Sequence, residues 1–140
     1  MAWNIASKIV RRVVTIDENH SVLEASTLMA EEFVGSAVIT SASKITGIFT
    51  ERDLMMRVVG KKRDPERAKI KDVMTKDVVT VSPKDTANYC LSLMKDHRCR
   101  HLLVFDGDEF VGIVSLRDMV ALLMEEKEDL IAYLHQYISS

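Results

Sequence analysis

The sequence predicts an α/β (α+β) fold built from two βαββα repeats with pseudo-twofold symmetry, followed by an extended C-terminal helix. Three observations carry that expectation. The chain aligns with itself without a gap at an offset of 65 residues, 13–58 lying on 78–123. Short β-branched runs alternate with segments whose apolar residues recur at helical spacing. An apolar stripe then continues past the second repeat as far as Ile138.

The self-alignment is the strongest of the three. Over its 46 positions nine pairs are identical, against roughly three expected from ordinary residue frequencies. They are Val13 with Val78, Val14 with Val79, Thr15 with Thr80, Leu28 with Leu93, Met29 with Met94, Gly47 with Gly112, Ile48 with Ile113, Arg52 with Arg117 and Asp53 with Asp118. Apolar character is also kept where identity is not, as in Ile16 over Val81, Ile39 over Val104, Phe49 over Val114 and Leu54 over Met119. The chain is an internal duplication.

The elements follow in order. "RRVVTI" and "KDVVTV" are β-branched runs, so each copy opens with a strand. "SVLEASTLMAEEF" starts with Ser21 and has Glu24 three residues on, a capping-box signature, and then carries Val22, Ala25, Leu28, Met29 and Phe33 on one helical face. "TANYCLSLMKDH" is its counterpart, with Ala87, Cys90, Leu91, Leu93 and Met94. "SAVIT" and "ITGIFT" make a hairpin across a small polar turn, and "HLLVF" and "FVGIVS" make another across "DGDE", whose Asp-Gly pair is a strong turn signal. A second helix starts at Thr50 in one copy and Ser115 in the other.

Residues 1–60 are thus the first repeat, 61–69 a charged linker, 70–124 the second repeat and 125–140 a helical extension. Gly60, Pro65 and dense charge in "GKKRDPERAK" suit an exposed connection. Each repeat has one apolar sheet face and two amphipathic helices, so two copies bury together what one leaves open. From Ser115 to Ile138 the last helix would run about 36 Å. Leu123, Leu130, Leu134 and Ile138 share one of its faces with little of their own domain to cover, which points to a partner subunit.

Composition narrows the function. At 140 residues the chain can bury roughly two-thirds of its unfolded surface, enough for a core without staples. A net charge of −2 gives no broad attraction to nucleic acid or membrane. No apolar run approaches the length that spans a bilayer, the N-terminus has no signal-peptide core, and two cysteines make no disulfide framework, so a cytoplasmic location is expected. No Ser/His/Asp or Cys/His arrangement is apparent, and no catalysis is expected.

Two copies of strand, helix and hairpin, each closing on Gly-Ile-hydrophobic-[Thr/Ser]-x-x-Asp-hydrophobic, resemble a tandem pair of cystathionine β-synthase-type (CBS) domains, a Bateman module. The resemblance covers about residues 5–124, and "IKDVMTKDVVTVSPKDT" is especially typical. It implies a regulatory module, a stand-alone CBS-domain protein, that binds an adenosine-containing nucleotide (AMP, ADP or ATP first) in clefts between the repeats, with a non-ligand-binding dimerisation or protein-interaction scaffold as the alternative. No cofactor is implied beyond that regulatory ligand. The motif acids, Asp53 and Asp118, would hold ribose hydroxyls; Thr50 and Ser115 would hold phosphate. The base would lie against Thr15, Ile16, Val38 and Ile48, or against Thr80, Val81, Leu103 and Ile113. A homodimer through the repeat helices and the C-terminal helix, and an effector protein of unknown identity, are the implied partners.

Physical chemistry supports that assignment and ranks the two sites. A helix N-terminus offers unpaired N–H groups and partial positive charge to phosphate, while a carboxylate accepts two hydrogen bonds from a vicinal diol. Where the first copy has Gly35 and Ser36, the second has Arg100 and His101, better phosphate donors, with Arg52 and Arg117 as secondary candidates. The second site is therefore preferred. Val38 and Leu103 stand where the family often has proline, which alters the base pocket wall.

Plainer roles are open to the same residues. Thr50 with Asp53, and Ser115 with Asp118, also fit helix capping, and both roles can coexist. His97, Cys99 and His101 alternate as metal ligands can, but Cys99 aligns with Val34 and core packing is the better reading. Lys61, Lys62, Arg63, Arg67 and Lys69 read as a solvated linker, since no aromatics interleave them. The methionines Met29, Met55, Met56, Met94 and Met119 read as core filler.

Overall fold

The computed structural model describes residues 3–139. They form two compact units, one of residues 12–78 and the other of residues 3–11 with 79–139. Each unit contains the predicted strand, helix, hairpin and helix.

In the unit of residues 12–78, β1 (Thr15–Asp17) pairs parallel with β2 (Ser36–Ser41), which pairs antiparallel with β3 (Lys44–Thr50). Helix α1 (Val22–Glu31) crosses between β1 and β2. It starts where the sequence said it would: Ser21 Oγ accepts the Glu24 N–H while the Glu24 carboxylate accepts the Ser21 N–H, closing a capping box. Helix α2 begins at Glu51–Asp53 and widens into a π-helix over Leu54–Val59. A short helix α3 (Ile70–Val73) completes the unit. Val22, Ala25, Met29, Ile39, Phe49, Ile70 and Val73 fill the core between the sheet and these helices.

The other unit repeats the plan with β4 (Thr80–Val81), α4 (Ala87–His97), β5 (His101–Asp106), β6 (Glu109–Ser115) and α5 (Leu116–Ser139). Its sheet has the order β4-β5-β6, with the same parallel and antiparallel pairings. Both hairpins carry a register shift one residue after the glycine pairing, between Ile39 and Thr40 and between Val104 and Phe105. The expected Asp-Gly turn is present with Gly107 at φ 62°; the first hairpin instead turns on Ala42 and Ser43 at φ 49° and 66°. Met55 and Met56, expected as core filler, are exposed on the π-helix, whereas Met29, Met94 and Met119 are buried.

The repeats exchange their leading segments. Residues 4–10 pack with the second repeat: Ile5 is fully buried there, Ile5 N–H bonds the Asp85 carbonyl at 2.9 Å, and Val10 bridges Ile113. Residues 69–75 do the same in the first: Ile70 is fully buried, its N–H bonds the His20 carbonyl at 3.0 Å, and Thr75 bridges Ile48. Ile5 and Ile70, and Val10 and Thr75, are themselves 65 residues apart, so the duplication reaches further back than the aligned stretch. In each case the bridging strand lies directly over a glycine. A Cβ on Gly47 would come within 2.6 Å of the Thr75 carbonyl oxygen, and one on Gly112 would run into the Val10 carbonyl oxygen.

The linker is exposed as expected except at Pro65, which is half-buried, and Ala68, which is buried; their carbonyls accept the Leu23 and Val22 N–H groups, each at 2.9 Å. Helix α5 runs the predicted length. Met119 and Leu122 are buried in its own unit, but Leu130, Leu134 and Ile138 remain 56%, 46% and 80% exposed. Among the described residues no helix is long and apolar enough to cross a membrane.

Candidate functional site

Each unit has a corner where the last strand of its hairpin turns into a helix. At the second corner, Ser115 ends β6 and caps α5. Its N–H and hydroxyl donate to Asp118 Oδ2 at 3.1 and 2.9 Å, and Asp118 N–H donates to Ser115 Oγ at 3.2 Å. The capping role is therefore real, but it occupies only Oδ2. Among the described residues no donor reaches Asp118 Oδ1, and the residue is half-buried rather than enclosed.

The same corner gathers the predicted phosphate residues of the second repeat. His101 pairs with Ser115 across β5 and β6, and the Arg100 carbonyl accepts the Leu116 N–H at 2.8 Å. Arg100 and His101 thus flank the N-terminus of α5, and Arg117, exposed, lies in its first turn. Their shared location follows from β-pairing: the first residue of β5 is opposite the last residue of β6.

The first corner has the same plan with different contents. Thr50 N–H and hydroxyl donate to Asp53 Oδ2 at 3.0 and 3.2 Å, and Asp53 N–H donates back to Thr50 Oγ1 at 3.2 Å. In addition, the Thr75 hydroxyl sits 3.0 Å from Asp53 Oδ1 and 3.3 Å from Oδ2, and Arg57 Nε is 3.7 Å from Oδ1. Arg57 also donates to the Met74 and Val73 carbonyls at 2.8 and 3.3 Å, tying the acid to the end of α3. Asp53 is only 7% exposed. Its carboxylate is a structural hub whose acceptor sites are largely taken up by the protein.

Sequence reasoning missed Arg57 and Thr75. The Asp53–Arg57 spacing of four was a visible signal for an ion pair on a helix. Thr75 had no such signal, because it reaches the corner only through the exchanged segment. The offset of 65 also puts Leu122 opposite Arg57, Val10 opposite Thr75 and Leu116 opposite Glu51. At Gly35, the counterpart of Arg100, an added Cβ would strike the Glu51 carboxylate. Arg52 is exposed at the start of α2.

The residues predicted to line a base divide between two faces. Thr15, Val38 and Ile48 are successive cross-strand neighbours, ending on Thr75; Thr80, Leu103, Ile113 and Val10 form the equivalent row. Ile16 and Val81 are one residue along and point into the helix-side cores, so they are not brought to those rows.

Cys99 packs against the core of its unit and its N–H bonds the Met94 carbonyl, while His97 is exposed in the last turn of α4; among the described residues no group of three or more His, Cys, Asp or Glu is arranged to hold a metal. Burial pushes the Cys90 thiol up to about 11, with Asp85 adding to the shift, and raises Cys99 as well. At pH 8 only about 0.1% of Cys90 would be thiolate. Cys90 is not expected to react with a disulfide reagent in the folded protein at that pH; it should react once the protein is denatured, and rapid reaction of Cys90 before denaturation would contradict the packing.

Comparison with known proteins matches this arrangement to one family. The family model described as "CBS domain" matches residues 6–60 and 70–125. The solved structure of a protein with CBS domains from Burkholderia ambifaria MC40-6 is 33% identical, with a TM-score of 0.81, covering 86% of this chain and 91% of that one. The hexameric CBS-CP12 protein from bloom-forming cyanobacteria is 27% identical, with a TM-score of 0.79, covering 86% of this chain and 71% of that one. Among curated proteins, the mitochondrial CBS domain-containing protein CBSX3 of Arabidopsis thaliana is 29% identical over 123 residues, 84% of this chain; the chain spans 60% of that relative's length.

Proposed function

The chain belongs to the CBS-domain family, whose paired domains are regulatory modules, and we propose that this pair senses an adenosine-containing nucleotide, AMP, ADP or ATP, at its second corner. One observation carries the choice of site: Asp118 holds an acceptor oxygen that its own cap does not use, at the N-terminus of a long helix flanked by Arg100 and His101. Asp118 would accept the ribose hydroxyls. Ser115, Arg100, His101 and Arg117 would hold the phosphates, and the row Thr80, Leu103 and Ile113 would meet the base. No catalytic step is assigned to the chain, and its setting is read as cytoplasmic.

A melting experiment tests this directly. A nucleotide at a hundred times its Kd contributes about 2.7 kcal/mol, hence a rise of roughly 5 to 10 °C for a chain this size. Shifts below one degree with AMP, ADP and ATP alike would remove the reading. Asp118→Ala loses one or two charge-assisted hydrogen bonds, at about 1.5 to 3 kcal/mol each, so affinity should fall at least tenfold. Unchanged affinity would move the ligand elsewhere.

The distal half of α5 favours a second element of the reading, a homodimer. Leu130, Leu134 and Ile138 share an exposed apolar face that continues from half-buried Leu123, a pattern suited to another helix of the same kind. Sedimentation velocity should show a dimer, and Leu130→Glu with Leu134→Glu should return it to monomer. A parent protein that sediments as a monomer would remove this element and leave the nucleotide site untouched.

A further inference from the structure

We propose that Thr75, Arg57 and Glu51 shut the first corner to ligand, so that each chain takes one nucleotide, at Asp118. The inference rests on the nucleotide reading above and adds its stoichiometry and the residues that set it. A ribose diol needs open acceptor sites on the carboxylate, and one uncapped oxygen can supply them. At Asp53 the Thr75 hydroxyl lies within 3.3 Å of both oxygens, Thr50 occupies Oδ2, and the Arg57 guanidinium lies against Oδ1. A diol would have to displace an internal donor that the exchanged segment holds in place, since Thr75 is fixed to Ile48 by backbone bonds of 2.8 and 2.9 Å. Phosphate fares no better at this corner. The Glu51 carboxylate fills the space beside Gly35, so negative charge stands where the second repeat has Arg100.

The second corner shares the cap on Oδ2, through Ser115, but lacks the parts that close Oδ1. Val10 is fixed to Ile113 by bonds of 2.9 and 3.0 Å, as Thr75 is to Ile48, but it has no hydroxyl to offer. Leu122 is buried in the core in place of Arg57, and Leu116 replaces Glu51. The two corners therefore share a backbone and differ in donors and charge.

Isothermal titration of the full chain with AMP and with ATP tests the inference. One site per chain is expected, and Asp118→Ala should weaken that single site at least tenfold and leave no site of parental affinity. Val10→Thr supplies the missing hydroxyl and should weaken binding at least tenfold, well beyond any effect of Val10→Ala, which only removes methyl groups. Combining Thr75→Val, Arg57→Leu and Glu51→Leu should open a second site. Should that variant fail to fold, the Val10 pair still decides, because Val10 is a half-exposed residue. Two sites in the parent, or one site of unchanged affinity surviving Asp118→Ala, would overturn the closure while leaving nucleotide sensing intact. No binding by the parent to either nucleotide would overturn the functional reading, and the closure with it.

Discussion

Gly112→Ala is expected to lower the melting temperature by about 10 °C, the largest loss from any single methyl group added to this chain. Gly112 sits at φ 155°, where side chains are rarely accommodated, and its Cβ would meet the Val10 carbonyl oxygen and lie 2.7 Å from Ile9 Cγ2. Backbone strain of this kind costs about 1 to 3 kcal/mol, and overpacking against neighbours that cannot withdraw adds about as much again. Val10 cannot withdraw without breaking the two bonds that hold the leading segment on β6. A total near 3 kcal/mol corresponds to about 10 °C at this chain length. Two other glycines calibrate the result. Gly47→Ala meets the same kind of strand at 2.6 Å but at an ordinary φ, and should lose less. Gly107→Ala has nothing within 4 Å and should lose only about 1 kcal/mol for its left-handed conformation. Thermal unfolding followed by circular dichroism ranks the three, and a Gly112→Ala curve coinciding with that of Gly107→Ala would show that the exchanged segment does not bear on β6.

Asp53→Ala should cost about 3 kcal/mol of stability, whereas Asp118→Ala should cost about 1. Removing Asp53 strips partners from Thr50, Thr75 and Arg57 together. Hydrogen bonds to a charged group are worth about 1.5 to 3 kcal/mol each, and deleting one partner of a buried charged network can cost about 3 to 5. Arg57 is half exposed, which lets water take over part of the loss and keeps the figure at the lower end. Asp118 supports only its own helix cap, worth about 1 kcal/mol. Urea unfolding of the two variants measures the difference. Equal losses would mean that Thr75 and Arg57 contribute nothing to Asp53, and the structural basis for treating the corners as unequal would go with it.

Most of the architecture was legible in advance, and for local reasons. Ser21 with Glu24, Thr50 with Asp53, and Ser115 with Asp118 all lie three residues apart, so their capping boxes form within one turn and need no distant contact. The Asp-Gly turn and the short apolar runs of β2, β3, β5 and β6 are likewise short-range. The π-helix over Leu54–Val59 was not legible, and neither was the exposure of Met55 and Met56 that accompanies it.

The pairing of the leading segments was the larger omission. Ile5 and Ile70 are identical residues 65 apart, yet each packs in the unit of the other repeat, and nothing in their immediate surroundings says so. The sequence alone determined that two like corners exist, each with a hydroxyl and an acid at the start of a helix, because those residues act on their own turn of backbone. It also ranked the second corner higher, from Arg100 and His101. Which acid keeps a free oxygen was decided by the folded chain. A carboxylate's hydrogen-bonding capacity is filled by whatever donors arrive, and here they arrive from segments remote in sequence: Thr75 hydroxyl at Asp53, methyl groups of Val10 at the equivalent bridge beside Ile113.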